Sequence, residues 1–219
     1  MKPMKIEALR VGPLATNCYL LGDEESGLCA VVDPGAQCQK KILPALEQFG
    51  MKCAMILLTH GHYDHIMALK DLKDAVGAPI YIHEKDAHML TEDYLKDWKA
   101  AAAQGYRQAL ADKLLRDGDK IQLGNLEITV MNTPGHTPGS CVYLCQDAMF
   151  AGDTLFRGGC GRWDLDGGSM EQMMESLRRL AALPGDWRAL PGHDAATTLE
   201  TERQTNPYMI QAVRHADRH

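Results

Sequence analysis

The sequence predicts a layered α/β fold in which two similar halves face each other. Three observations carry that expectation. A continuous apolar run, Cys53 to Leu58, reads as a sheet strand covered on both faces. In both halves of the chain, short β-favouring stretches punctuated by Gly, Pro, Asn and Asp precede helical stretches. In both halves, too, the strands run out into segments that carry His or Asp, as two layers sharing one site would.

Taken in order, strands are expected near Ile6 to Val11, Cys18 to Gly22 and Leu28 to Asp33, with a helix from about Lys40 to Phe49. After the Cys53 to Leu58 strand, Ile66, Leu69, Leu72 and Val76 recur at helical spacing with charged residues between them. They predict one helix from about His65 to Val76. The stretch 84–118 is mostly helical in composition, with an alanine run at Ala100 to Ala103 and a stripe of Tyr94, Trp98 and Ala101. Such a stripe, like nearby Tyr106, is more often packing than a substrate wall. The second half adds strands at Ile121 to Leu123, Leu126 to Met131, Cys141 to Leu144 and Ala148 to Ala151, a helix from about Met170 to Leu183, and a last strand at Trp187 to Leu190. Cys141 and Cys145, an even number of residues apart, should face one side of their strand as small core residues.

The 219 residues suffice for a sizeable core and do not demand more than one domain, so residues 1–219 are read as a single unit. A hydrophobic fraction of 45% with 24% charged residues is ordinary globular composition. Net charge is −6, and the 23 Lys and Arg are scattered, so no footprint for a phosphate backbone exists and nucleic acid is not an expected partner. The N-terminus lacks the apolar core of a signal peptide and no apolar run could span a bilayer, which predicts a cytoplasmic protein acting on a small molecule. Seven Cys, odd in number and without paired spacing, suit a reducing compartment. Nothing in the sequence speaks to oligomeric state.

The chemistry concentrates in His60-Gly61-His62-Tyr63-Asp64-His65, four metal-competent side chains within six residues at the end of a buried strand. In extended backbone, residues i and i+2 point the same way, so His60 and His62 can reach one metal. Asp64 and His65, just past the bend, can aim at a second. Three later segments share one form, a short strand ending in a glycine turn that presents one ligand: Thr133-Pro134-Gly135-His136, Phe150-Ala151-Gly152-Asp153 and Leu190-Pro191-Gly192-His193. Each is a weak signal by itself, since a lone His or Asp at a turn is commonly structural.

Together these segments resemble the metallo-β-lactamase superfamily, in its glyoxalase II-like branch, over nearly the whole chain. Thr59-His60-Gly61-His62-Tyr63-Asp64-His65 matches the family's THxHxDH. Thr133 to Ser140, Gly152-Asp153-Thr154-Leu155-Phe156 and Pro191-Gly192-His193-Asp194 match its later ligand segments. Gly12 to Tyr19 and Asn206-Pro207-Tyr208 are also similar to this branch. The resemblance implies a four-layer αβ/βα sandwich with two divalent metal ions: the first on His60, His62 and His136, the second on Asp64, His65 and His193, with Asp153 bridging. Zinc is the first expectation, and the ligand set also suits iron or manganese.

The activity implied is hydrolysis of a thioester or activated ester by a metal-bridging hydroxide, with Asp64 and Asp153 as the catalytic carboxylates. Alternatives within the same resemblance are a persulfide dioxygenase, which would use one iron on His60, His136 and Asp153, and a phosphodiesterase or lactonase. Two departures from the family pattern stand out, a small one that need not disturb the ligands and a larger one that bears on glutathione. Ala68 stands where the family commonly has Gly. Hydroxyacylglutathione hydrolases carry a C-terminal helical extension that helps hold glutathione, whereas this chain ends twelve residues after Pro207, and Ala195 stands where those enzymes tend to place Tyr. Arg162 matches a basic residue near the thiol-binding side and is the candidate substrate contact.

Overall fold

The computed structural model describes residues 3–95 and 105–216. Two six-stranded sheets are formed. The first contains β1 (Met4–Val11), β2 (Thr16–Asp23), β3 (Leu28–Val32), β4 (Lys52–Leu57), β5 (Ile80–His83) and β6 (Lys113–Leu115), in that spatial order. The second runs in the order β12 (Thr197–Thr198), β11 (Arg188–Pro191), β10 (Ala148–Gly152), β9 (Cys141–Cys145), β8 (Leu126–Asn132) and β7 (Lys120–Leu123). β3 and β4 are parallel, as are β10 and β11, while β8 and β10 each run antiparallel to β9 between them. The C-terminal ends of β8, β10 and β11 therefore meet at one edge of the second sheet, and those of β3 and β4 at one edge of the first.

Alternation along the strands builds three cores. In β2, Cys18 and Leu20 face outward to Ile42, Phe49, Leu69 and Leu72, while Tyr19 and Leu21 face inward. In β10, Ala148 and Phe150 face inward and Met149 and Ala151 outward, toward Leu177, Leu180 and Met209. The middle core, with Tyr19, Leu57, Val130, Tyr143 and Phe150, glues sheet to sheet. Helices α1 (Leu43–Phe49), α2 (Tyr63–Ile66), α3 (Leu69–Val76) and α4 (Glu92–Leu95) belong to the first half, and α5 (Met170–Ala181), α6 (Leu199–Thr205) and α7 (Pro207–Ala216) to the second. The result is the expected αβ/βα sandwich. Each fully buried Leu or Ile contributes about 1.5–3 kcal/mol to it. Cys141 and Cys145 both lie in the inter-sheet core, as their spacing predicts. No helix among the described residues is long and apolar enough to cross a membrane.

Several elements differ from expectation. The helix read across His65 to Val76 is two helices, broken at Met67 and Ala68, because the Ala68 N–H donates to Pro34 O (3.0 Å) instead of continuing the ladder. The stretch 84–118 is not mostly helical where it is described: after a 3₁₀ turn at Glu84–Leu90 and the four residues of α4, it ends in β6, which pairs with Tyr81, Ile82 and His83. Three-residue edge strands carry almost no periodic signal, and pairing to β5 decides this one. Tyr94 and Tyr106 pack on the outer core of the first half, while Trp98, Ala101 and the alanine run lie outside the described residues. β5, β12, α6 and α7 were not anticipated.

Candidate metal centre

Four of the seven expected ligands sit just past a strand end on the shared edge, His60 after β4, His136 after β8, Asp153 after β10 and His193 after β11, while His62 caps α2 and Asp64 and His65 lie within it. The seven residues come together in three overlapping groups whose ligand atoms lie within 4.8 Å of one another: His60, His62 and His136; His60, His65 and Asp153; and Asp64, His65 and His193. His62 Nδ1 is 2.8 Å from His136 Nε2, so two ring nitrogens converge on one point. Asp153 stands between the groups. Its Oδ2 is 3.5 Å from His136 Nε2 and 3.6 Å from His193 Nε2, and its Oδ1 is 3.4 Å from His65 Nε2.

The turns that bring them there need glycine, as Gly135 and Gly192 show. Gly135 has φ of 140°, and a Cβ on it would overlap the Met173 backbone of α5. A Cβ on Gly192 would overlap Asp153 Oδ1.

The rings are aimed by partners outside the ligand set. Asp33 accepts from His65 Nδ1 (2.9 Å), from Thr59 N (2.8 Å) and from Thr59 Oγ1 (2.7 Å), and holds a left-handed φ of 52°. His136 Nδ1 donates to Arg162 O (2.6 Å) and His193 Nδ1 to Leu14 O (3.1 Å), which leaves Nε2 of each facing the site. Thr16 Oγ1 donates to Asp64 Oδ2 (2.9 Å). Asn17 Nδ2 and Tyr19 OH donate to Pro191 O (2.9 and 2.7 Å), clamping the His193 loop to the opposite sheet. Thr16, Asp33 and Asp86 have positions that the sequence reading did not single out. Asp33 was legible in principle, since Val32-Asp33-Pro34-Gly35 is another strand ending in an acidic residue and a turn.

Burial and the surrounding imidazoles hold His60 well below the usual histidine range, and burial with His136 pushes His62 down to about 3. Both rings are therefore neutral and offer a lone pair. Burial would lower His65 as well, but Asp64, Asp153 and Asp33 outweigh it and hold that ring well above the usual range. Burial would raise Asp153, and His65 and His136 outweigh it in turn, so the carboxylate stays ionised. His60 Nε2 is buried with no hydrogen-bond partner among the described residues, while His65 Nε2 and Asp153 Oδ1 face each other only at a long 3.4 Å. Leaving such groups unsatisfied costs about 1–3 kcal/mol each. Neutral imidazoles at His60 and His62, the Asp153 carboxylate and a His65 ring that would give up its Nε2 proton to a bound cation fit divalent metals.

The cavity above these residues has a volume of about 400 Å³, with walls that include Leu14, Tyr63, Phe156 and Leu165. Arg162 also lines it, but its side chain is 61% exposed and its Nε and Nη2 donate to the Asp164 carboxylate at 2.7 Å each. Its guanidinium is engaged at the rim, and its backbone carbonyl is what reaches the ligands.

Three overlapping groups of metal-competent side chains, with Asp153 between them, at the strand ends of an αβ/βα sandwich form a candidate metal centre. The family model of the metallo-beta-lactamase superfamily matches residues 11–193, and the chain belongs to that superfamily. It is 38% identical over 212 residues to a protein of Aquifex aeolicus, covering 94% of this chain and 97% of that one. It is 30% identical over 210 residues to the hydroxyacylglutathione hydrolase GloC of Haemophilus influenzae, covering 94% and 98%. Among solved structures it is similar to the BLEG-1 B3 metallo-beta-lactamase (TM-score 0.86, 31% identity, 94% and 99% covered) and to TTHA1623 in a di-iron-bound form (TM-score 0.81, 35% identity, 92% and 99% covered).

Proposed function

We propose that this chain hydrolyses a small thioester or comparably activated ester at a pair of divalent metal ions. The observation that carries the reading is the position of Asp153, whose two oxygens lie within 3.6 Å of ligand nitrogens from both groups. His60, His62 and His136 would hold one ion, Asp64, His65 and His193 the other, and Asp153 both. Bound there, divalent ions would supply a water of lowered pKa and polarise an acyl carbonyl, the chemistry that hydrolysis at neutral pH needs. The residues have separate tasks. Asp64, steadied by Thr16, faces the cavity and orients the attacking water by accepting its hydrogen bond. Leu14, Phe156 and Leu165 give the cavity an apolar wall against which an acyl group can pack. The name of the Haemophilus relative supports a thioester, and the di-iron neighbour leaves iron beside zinc as the resident metal.

Glutathione itself is held weakly in this reading. Remote groups speed a reaction only where residues grip them. Ala195 is exposed and carries no hydroxyl, and Arg162 must leave Asp164 to meet a substrate carboxylate. The test combines metal analysis with hydrolysis of S-lactoylglutathione, a short S-lactoyl thioester, a lactone and a β-lactam. Both thioesters should be turned over fastest, with kcat/KM values within about a hundredfold of each other, roughly 2.7 kcal/mol. A larger preference for the peptide would reveal a dedicated glutathione site, and faster β-lactam or lactone cleavage would overturn the thioester reading. Oxygen consumption with glutathione persulfide, at one iron per chain, would point instead to the dioxygenase alternative.

A further inference from the structure

We propose that Asp86 is a positioning residue that sets the spacing of the three-histidine group from outside it. Asp86 is 0% exposed and lies in the 3₁₀ turn at Glu84–Leu90, far in sequence from either loop it touches. Its Oδ2 accepts from Gly61 N (3.3 Å), between His60 and His62, and from Thr137 Oγ1 (2.6 Å), next to His136. Its Oδ1 accepts from Gly139 N (2.7 Å). One carboxylate thus ties the loop of the first sheet that presents His60 and His62 to the loop of the second that presents His136. Other inter-sheet bonds, from Cys141 N to Thr59 O (2.8 Å) and from Tyr143 OH to Leu58 O (2.6 Å), join the strand ends beneath and do not reach past the ligands.

The chemistry requires a carboxylate there. Donors meet both oxygens, so whichever oxygen an Asn replaced with NH₂ would set two donors against each other. The fit is also close, because a Cβ on Gly139 would overlap the Asp86 carboxyl group. The Thr137 hydroxyl is fixed further by Ser140 Oγ at 2.7 Å. By contrast, His65 is held by Asp33 and His193 by Leu14 O, with no bond to Asp86, so the second ligand group should not sense the residue.

The inference rests on the proposed reading of the site as a metal centre, and its test separates the two. In full-length chain carrying His193→Ala, where the three-histidine group is intact, Zn²⁺ affinity of metal-stripped protein is measured by competition with a chromophoric chelator. Adding Asp86→Asn is expected to weaken Zn²⁺ by about 10–100-fold. In a His62→Ala background, where Asp64, His65 and His193 are intact, the same change should leave affinity within about twofold. Thr137→Val, which removes one donor with little change of shape, should weaken the His193→Ala protein by about two- to tenfold, and Thr137→Ser should restore it. This pair decides the matter if Asp86→Asn does not fold. Unchanged affinity in the first background, an equal loss in both, or failure of Thr137→Ser to restore binding would overturn the proposal. A His193→Ala parent that takes up no Zn²⁺ would overturn the metal reading itself, and this proposal with it.

Discussion

Asp153 stands just past β10 with its carboxylate among histidines of both ligand groups, and nothing in the sandwich cores depends on its side chain. Asp153→Ala should therefore abolish turnover while leaving the fold intact. Steady-state kinetics beside circular dichroism melts of both proteins in metal-free form would check this, and activity within about tenfold of the parent, roughly 1.4 kcal/mol, would contradict the bridging role. Asp33 acts one step further out, through His65 and Thr59. An Asn there places an NH₂ against at least one donor, so Asp33→Asn should weaken retention of the metal held by His65 about 10–100-fold, read as metal content after dialysis against a chelator. Arg162 shows why residue type alone misleads. Its charge was the signal in the sequence, whereas its backbone carbonyl is what orients His136.

At the scale of elements, α5 is the platform under the His136 loop. Ser169 caps it by accepting from Gln172 N (3.3 Å), its own N–H donates to Gly135 O (2.8 Å), and Ser176 Oγ donates to Pro134 O (2.6 Å). Losing the cap in Ser169→Ala should cost about 1 kcal/mol. Gly135→Ala adds backbone strain of about 1–3 kcal/mol to a clash with Met173, and should destabilise the protein more than Ser169→Ala and lower activity with it. Urea denaturation midpoints together with kcat would show the order. Equal effects of the two changes would mean that the loop relaxes freely away from α5. The break at Ala68 has the same character, since φ of −92° there is open to any residue and the departure from Gly leaves the ligands undisturbed.

For the whole molecule, the proposed ligands come from both halves of the sandwich, so metal binding should act as a cross-link between them. Saturating metal should load two ions per chain. At a hundredfold excess over Kd each ion adds about 2.7 kcal/mol, and the pair should raise Tm by roughly 10–20 °C over the metal-free protein. Differential scanning calorimetry with elemental analysis measures both quantities. A ratio that stays at one under saturating metal, with His65→Ala leaving activity unaffected, would contradict the paired centre.

The local patterns were legible from the chain alone. The apolar run before His60, the Gly-ligand turns at His136, Asp153 and His193, and the even spacing of Cys141 and Cys145 are short-range properties, because backbone periodicity and turn chemistry act over a few residues. Folding decided the rest. Whether Lys113 to Leu115 is strand or helix depends on pairing with β5, and whether the helix after His65 is continuous depends on the distant carbonyl of Pro34. Asp33 and Asp86 gain their places only when β3 and the 3₁₀ turn are brought against the ligand loops. A buried carboxylate is defined by donors that converge on it in space, and those donors come from segments that no local pattern connects.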